Sequence, residues 1–414
     1  MIDKDHPADF LAAGWHSGIK PDGLDFGVIH SLHPCDAAAI FTRNNFVGNP
    51  VIVGRENAAS GKLQTIIVNS GNSNVATGPE GLQLVRQYTE VAAESLGIDP
   101  GLILPCSTGV IGRPMPADRM LTACREIPEK LKQSDFLAFA EAIRTTDAYV
   151  KMRGIELMSG GYILGIAKGA GMIQPDMATM LSYIITDVSI GSADLGRLIR
   201  AVANRSFNRL SVDGDTSTSD TFAILANGAA GVHVRFPEEA ARMFAEFAHP
   251  ITPADAASLP GMNGQSREFV SALMDICLTL TRLIAADGEG ASKLIELRVS
   301  KAQSREQALK IARSIINSPL IKTAVYGADP NWGRLLMAIG KVFDEPVPIE
   351  NLKIRFGEHH LNPDETDNLK IISNYLSGSE VEMEIELGLG NASETVWGCD
   401  LTEDYVRLNS MYTT

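Results

Sequence analysis

The stretch Lys168-Gly-Ala-Gly-Met-Ile-Gln-Pro-Asp-Met-Ala-Thr-Met-Leu181 decides how the rest of the chain is read. Gly160, Gly161, Gly165, Gly169 and Gly171 lead into Pro175-Asp-Met-Ala-Thr179, and an apolar run from Met180 to Ile185 follows at once. Two readings are open. In one, a glycine-rich loop feeds a core strand and Thr179 is an ordinary β-former. The other is chemical. A threonine hydroxyl is a weak nucleophile unless a base lies beside it, and a free α-amino group on the same residue, with a pKa of about 7.7–8.0, can be that base. Making that amine requires cutting the Ala178–Thr179 bond. The hydroxyl attacks the preceding carbonyl, and water hydrolyses the ester that results. Small Ala178 leaves room for the attack, and Pro175 with the glycines permits tight backbone. A phosphate-binding loop of the Gly-Lys-Ser/Thr type is excluded, because that ending is missing.

Around this stretch lies a chain of 414 residues, long enough for two or three domains or one large one. Its hydrophobic content of 45% and charged content of 21% are those of a globular protein. The net charge of −14 argues against a nucleic-acid partner, which needs a basic face, and suits small-molecule chemistry. The first residues carry no apolar signal-peptide core, and the apolar stretch from Leu273 to Ala286 holds Asp275 and Arg282. We therefore expect no signal peptide and no membrane span. Five scattered cysteines without a Cys-x-x-Cys pair predict reduced, buried thiols in the cytoplasm.

Strands are expected at Phe26 to Ile29, Ala38 to Phe41, Pro50 to Val53, Thr65 to Val68 and Leu102 to Leu104. Helices are expected from Pro79 to about Leu96, at 116–132, at 135–144, near 191–205 and over 267–285. The segment 155–167 reads as a hairpin around Ser159-Gly-Gly161, and 232–266 as a surface excursion with one helix at 237–247. Leu294 to Val299 alternates. Ser304 and Gln307 form a possible capping box for a helix at 305–317. Val381, Met383, Ile385 and Leu387 alternate with glutamates, as in a half-buried antiparallel strand. The mixture predicts an α/β or α+β layered sandwich.

Other segments carry polar chemistry. Ser107-Thr-Gly109 follows a strand and reads first as a turn, although small residues there let a backbone N–H approach an oxyanion. Lys168 is either a solvated lysine or a point charge for a substrate carboxylate. Glu289, between two glycines, is either a turn residue or a carboxylate for an amino-acid ammonium. Asp213, Asp215 and Asp220 match no metal-loop spacing, so no metal is expected. No chemistry is assigned to His359-His360. No histidine falls in these segments, which fits a nucleophile whose base is its own amine.

The Lys168–Leu181 stretch resembles the self-cleavage motif of the ornithine acetyltransferase (ArgJ) family. The likeness extends in order through Gly18-Ile-Lys20, Phe41-Thr-Arg43, Asn69-Ser-Gly-Asn72, Ala76-Thr-Gly78, Ser107 to Gly112, Ser211 to Asp220 and Asp287-Gly-Glu-Gly290. It continues through Asn317 to Leu320, Asp329 to Arg334, Cys399-Asp-Leu401 and Asn409 to Thr414. The resemblance implies an N-terminal-nucleophile-like fold of the ArgJ/DmpA type. It implies self-cleavage between Ala178 and Thr179 into an α chain, 1–178, and a β chain, 179–414. It makes Thr179 the nucleophile and assigns Thr108 and Gly109 to the oxyanion hole. It makes Thr145, Lys168, Thr179, Glu289, Asn409 and Thr414 substrate contacts.

The implied reaction moves an acetyl group from N2-acetyl-L-ornithine to L-glutamate through acetyl-Thr179, without a cofactor. The implied assembly is a cytoplasmic heterotetramer of two α and two β chains. One departure stands out. The family pattern Thr-Thr-Asp-Thr-x-Pro-Lys is here Thr145-Thr-Asp-Ala-Tyr-Val-Lys151, with Ala148 and Val150 in place of Thr and Pro. That keeps two alternatives in view: a paralogue in specialised metabolism acting on another N-acyl amino acid, and an amidase that hands its acyl group to water. An uncleaved binding or structural protein of the same fold is the reading from another class.

Overall fold

The computed structural model describes residues 6–174, 180–249 and 251–411. Eight strands form the first sheet: β1 (Phe10–Trp15), β2 (Phe26–Phe41), β3 (Lys62–Asn72), β4 (Ile103–Val110), β5 (Lys151–Glu156), β6 (Tyr162–Lys168), β7 (Leu181–Thr186) and β8 (Thr221–Ala226). Five form the second: β9 (Leu294–Ala302), β10 (Lys353–Phe356), β11 (His359–His360), β12 (Glu380–Glu386) and β13 (Ala392–Cys399). The helices of the first half are α1 (Asn49–Ala58), α2 (Gly78–Leu96), α3 (Ala117–Lys130), α4 (Phe136–Ala142) and α5 (Ser192–Ala203). Those of the second half are α6 (Glu238–Glu246), α7 (Pro253–Ser258), α8 (Gly264–Ala286), α9 (Arg305–Ile316), α10 (Pro319–Tyr326), α11 (Trp332–Gly340), α12 (Thr366–Leu376) and α13 (Glu403–Met411). This is the layered α/β architecture that the sequence predicts.

The first sheet runs β4-β3-β2-β8-β7-β6-β5, with β1 also paired to β2. Its long strand β2 belongs to two halves. Phe26 to His30 pair with β3, Asp36 to Phe41 pair with β8, and the register breaks between His30 and Cys35. Such an irregularity bends a strand. Across the bend, Ile66, Val68, Leu104 and Cys106 of β3 and β4 share one buried cluster with Leu164, Ile166, Tyr183 and Leu225 of β6, β7 and β8. The opposite faces of the same strands are equally apolar. Ile163, Ile184, Phe222 and Ile224 pack with α5 and α8 in a second cluster. Burial on both faces explains why β7 and β8 read as continuous apolar runs rather than as alternation.

Several expectations are corrected. Pro50 to Val53 is not a strand but the first part of α1. Pro50 stands in the first turn, where its missing N–H costs nothing, and Val51 and Val53 are buried. Ser107-Thr-Gly109 is not a turn but the end of β4. The 232–266 segment is not a surface excursion, because Val234, Phe236, Phe244 and Leu259 lie in the main core. α8, at 23 residues, is longer than expected and is long and apolar enough to cross a membrane, yet most of its apolar window is buried against the sheet. β12 is antiparallel to β10, as expected, but runs parallel to β9 on its other side. The α9 capping box is half formed: Ser304 accepts from the Gln307 N–H at 3.1 Å, but Gln307 reaches back to the Gln303 N–H at 2.8 Å. All five cysteines are free and buried.

Candidate active site

Three strand ends stand side by side. Lys168, the last residue of β6, is the register partner of Leu181, the first of β7, and Leu181 is the partner of Thr221, the first of β8. Next to this row is a small cavity lined by Thr108, Lys168, Gly171, Met180, Ser219 and Asp220, among others. Thr108 is on β4, at the far end of the strand order, and reaches the cavity only because the sheet folds over at β2. A wider cleft of about 500 Å³, bordered by Ala38, Arg55, Ser192 and Arg200, holds none of the predicted site residues.

Among the predicted residues, Thr108, Gly109, Thr145, Lys168, Glu289 and Asn409 fall within the described structure. Ala178, Thr179 and Thr414 lie outside the described residues, as does the 178–179 division of the chain. Both flanks of 175–179 are tightly held. On one side the 211–217 segment grips the approach. Val212 N–H donates to the Ile173 carbonyl at 2.7 Å, Gln174 N–H to the Asp215 carbonyl at 2.8 Å and Thr216 Oγ1 to the Gln174 carbonyl at 3.0 Å. The Asp213 carboxylate accepts from the Met172 and Ile173 N–H groups at 2.6 and 2.8 Å. On the other side, Thr221 N–H donates to the Met180 carbonyl at 2.9 Å.

Gly109 is dictated by contact. Its φ is +127°, and a Cβ there would fall 2.6 Å from the Asn72 nitrogen of β3. The missing side chain lets β4 pack closely on the β3 backbone, and Gly109 itself is not among the residues that line the small cavity. Thr108 beside it is 9% exposed and faces the cavity.

Lys168 donates to Thr145 Oγ1 at 3.1 Å, which joins two predicted contacts. Behind them is a buried charge network that the sequence reading did not single out. Lys151 Nζ donates to Asp147 Oδ1 at 2.7 Å and to Asp287 Oδ2 at 2.5 Å. Asp147 also accepts from Gly169 N–H at 2.6 Å and Thr145 N–H at 3.1 Å. Asp287 accepts from Ala148 N–H at 3.0 Å. Burial works against ionisation of Asp147. The Lys168 charge, the Lys151 charge and hydrogen bond, and the Gly169 N–H overcome it and hold the carboxyl at about 2. For Asp287 burial prevails over Lys151, and its pKa stands above the ordinary range. Burial also lowers the pKa of the Lys168 ammonium, against the pull of Asp147, Asp220 and Glu289.

The family departure falls on this loop without breaking the network. Ala148 is exposed and contributes its backbone, while Val150 packs against the cluster between the two halves of the sheet. The signal for the network was present: Asp147, Lys151 and Asp287 all stand in quoted motifs. Their mutual contact depends on the α8 terminus meeting the loop before β5, which no local pattern announces.

Glu289 is seated against the glycine-rich approach. Its N–H donates to the Ala170 carbonyl at 2.9 Å, and a Cβ on Gly171 would fall 2.6 Å from Glu289 Oε1. Asn409 Nδ2, on α13, donates to Glu289 Oε2 at 2.9 Å. The contacts therefore tie Thr145 to Lys168, and Glu289 with Asn409 to Gly171; Lys168 and Gly171 both line the small cavity. Asp220, weighed from the sequence only as part of an aspartate cluster that matches no metal-loop spacing, is buried in the same cavity.

The family model described as "ArgJ family" matches residues 11–414. The chain is 42% identical over 417 residues to "Arginine biosynthesis bifunctional protein ArgJ 2" of Clostridium acetobutylicum, covering 100% of this chain and 99% of that one. It is 40% identical to "Glutamate N-acetyltransferase Oat2" of Streptomyces clavuligerus, covering 99% of this chain and 98% of that one. Among solved structures, ornithine acetyltransferase complexed with ornithine from Mycobacterium tuberculosis is 33% identical. It matches with a TM-score of 0.40 over 42% of this chain and 94% of that chain. The match of the family model over nearly the whole length, with relatives at about 40% identity, means that this chain belongs to the ArgJ family.

Proposed function

We propose that the chain is a self-cleaving acyltransferase that moves an acetyl group from N2-acetyl-L-ornithine to L-glutamate in arginine biosynthesis. Family membership supports the reaction class, and the relatives' printed names, arginine biosynthesis and glutamate N-acetyltransferase, support the substrates. The observation that carries the reading is the convergence of Thr108 and Lys168 on one cavity beside Met180, with Thr145 and Glu289 in contact with its lining. Thr179 precedes Met180 in the chain.

In this reading the bond between 178 and 179 is cut, and the free amine of Thr179 takes the proton from its own hydroxyl. The hydroxyl oxygen attacks the acetyl carbonyl. The negative charge that develops is met by Gly109 N–H and Thr108, a contribution of roughly 10²–10³ in rate for a single donor. Lys168, with Thr145, holds the donor's α-carboxylate, and Glu289, oriented by Asn409, holds its ammonium. Ornithine leaves with the proton, the acetyl group stays on Thr179, and glutamate takes it by the reverse steps. That is ping-pong chemistry and needs no cofactor. An α chain of 1–178 and a β chain of 179–414 would remain together, since β6 and β7 are hydrogen-bonded neighbours on either side of the cut. The working assembly in this reading is two such pairs, in the cytoplasm.

The test is incubation of purified enzyme with N2-acetyl-ornithine, with and without glutamate, after intact-mass analysis. Two chains and glutamate-dependent release of ornithine are expected. A single 44.5 kDa polypeptide would sink the processing claim. Release at the full rate without glutamate would make the protein an amidase.

A further inference from the structure

The amine that serves as base in acyl transfer does not exist until the 178–179 bond has broken. Self-cleavage therefore needs another group to take the Thr179 hydroxyl proton. A carboxyl lines the cavity beside Met180. Asp220 is 2% exposed, lines the cavity with Thr108, Lys168 and Met180, and immediately precedes the strand β8. Because Leu181 and Thr221 are register partners, and Thr221 N–H holds the Met180 carbonyl, Asp220 stands at the strand end beside the residue that follows Thr179.

Its Oδ2 is buried with no hydrogen-bond partner among the described residues. Leaving a buried polar atom unpaired costs roughly 1–3 kcal/mol, so such an atom calls for an explanation. Burial raises the proton affinity of this carboxyl well above the ordinary range, against the Ser217 hydroxyl, the Lys168 ammonium and the Thr42 hydroxyl. Its neighbours are committed elsewhere. Asp147 is bound to Lys151 and Gly169, Asp213 accepts three backbone N–H groups, and Glu289 is engaged by Asn409.

We propose that Asp220 is the acid–base residue of self-cleavage. One carboxyl oxygen takes the proton from the Thr179 hydroxyl as Oγ1 bonds to the Ala178 carbonyl carbon. The other oxygen gives the carboxyl's own proton to the Thr179 nitrogen as the carbon–nitrogen bond breaks. The products are an ester between Ala178 and Thr179 Oγ1 and a free α-amine, with Asp220 back in its starting form. Water then hydrolyses the ester, leaving the Ala178 carboxylate and the Thr179 hydroxyl. This rests on Thr179 being the cleavage nucleophile.

The full-length chain is prepared as wild type, Thr179→Ala, Asp220→Asn and Asp220→Ala, and cutting is followed over time by intact mass. Asparagine matches aspartic acid in size and neutrality, so Asp220→Asn is expected to keep the wild-type melting temperature. It is expected to cleave roughly a hundredfold or more slowly, the scale of a lost acid–base group. Formate added to Asp220→Ala supplies a carboxyl group to the vacated place, and a rise in cleavage of about tenfold is expected on the same grounds. A purely structural role would not respond to formate. Wild-type cleavage by Asp220→Asn overturns the proposal, and so does slow cleavage in both variants that formate leaves unmoved. If Thr179→Ala is itself cut, the reading of the whole site fails. If Thr179→Ala stays whole while Asp220→Asn cuts normally, only the role of Asp220 falls.

Discussion

Replacing Lys151 with methionine keeps most of the side-chain volume and removes one charge. The Lys151 side chain is fully buried and contacts two carboxylates, those of Asp147 and Asp287. Breaking a buried ion pair from one side costs roughly 3–5 kcal/mol, because the partner stays behind uncompensated. Here two partners stay behind, facing each other, so the upper half of that range is expected at pH 7. The pH dependence follows from the two carboxyls. Asp147 is held at about 2 against an ordinary 3.8, which corresponds to roughly 2 kcal/mol of stability. A depressed folded-state pKa contributes fully above the ordinary value and is lost as the pH falls from near 4 towards 2. Asp287, raised by burial, works in the opposite direction: its charge costs stability above the ordinary range, and protonation relieves it.

In Lys151→Met both carboxyls bind protons more readily, so the deficit relative to wild type should be greatest at pH 7 and shrink on going to pH 4. Differential scanning calorimetry at the two pH values measures this. The variant should also show a raised KM for the acetyl donor, since Asp147 fixes Gly169 and Thr145. A variant within about 0.5 kcal/mol of wild type at pH 7, the scatter of a neutral surface change, would refute the reasoning. So would a deficit that grows as the pH falls.

Gly109→Ala should lower kcat by about 10²-fold, because the added Cβ meets the Gly71 and Asn72 backbone and shifts the amide from the oxyanion; steady-state kinetics with N2-acetyl-ornithine reads it. Glu289→Gln keeps an acceptor for Asn409 but loses the charge for the substrate ammonium. KM should rise about tenfold, the worth of roughly 1.4 kcal/mol, with kcat less affected. The native protein should react only slowly with a thiol reagent at pH 8. All five cysteines are buried, and burial pushes the Cys35 and Cys106 thiols up to about 12. Labelling of five thiols should follow only on unfolding, and rapid native labelling would contradict the burial.

Much of the fold was readable locally. The hairpin of β5 and β6, the apolar run of β7, and helices α2, α3, α4, α5 and α9 all follow from period and punctuation over a dozen residues. What failed, failed for one kind of reason. The β-branched run Pro50-Val-Ile-Val53 reads as a strand until Pro50 is seen to start a helix packed on the sheet. The 232–266 segment looks like a surface loop because glycines, prolines and charges are interleaved with Phe236, Phe244 and Leu259. Only the packed structure shows those three sharing the core with α5 and α8.

The candidate site divides in the same way. By itself the sequence determined which residues could do the chemistry. Thr179 is preceded by a small residue and followed by a strand, and a lysine closes the strand before it. Glu289 stands between glycines. These are properties of neighbouring residues, and covalent adjacency carries them. Only the tertiary structure decided which of these groups meet. The bend in β2 brings Thr108 from an edge strand to the cavity beside Lys168 and Met180. The end of α8 brings Asp287 to Lys151 and Glu289 to Gly171. The β7–β8 register places Asp220 at the same cavity. Burial, proton affinity and pairing of charge depend on what surrounds a side chain in space, and these surroundings include residues as far along the chain as Asp287 is from Lys151.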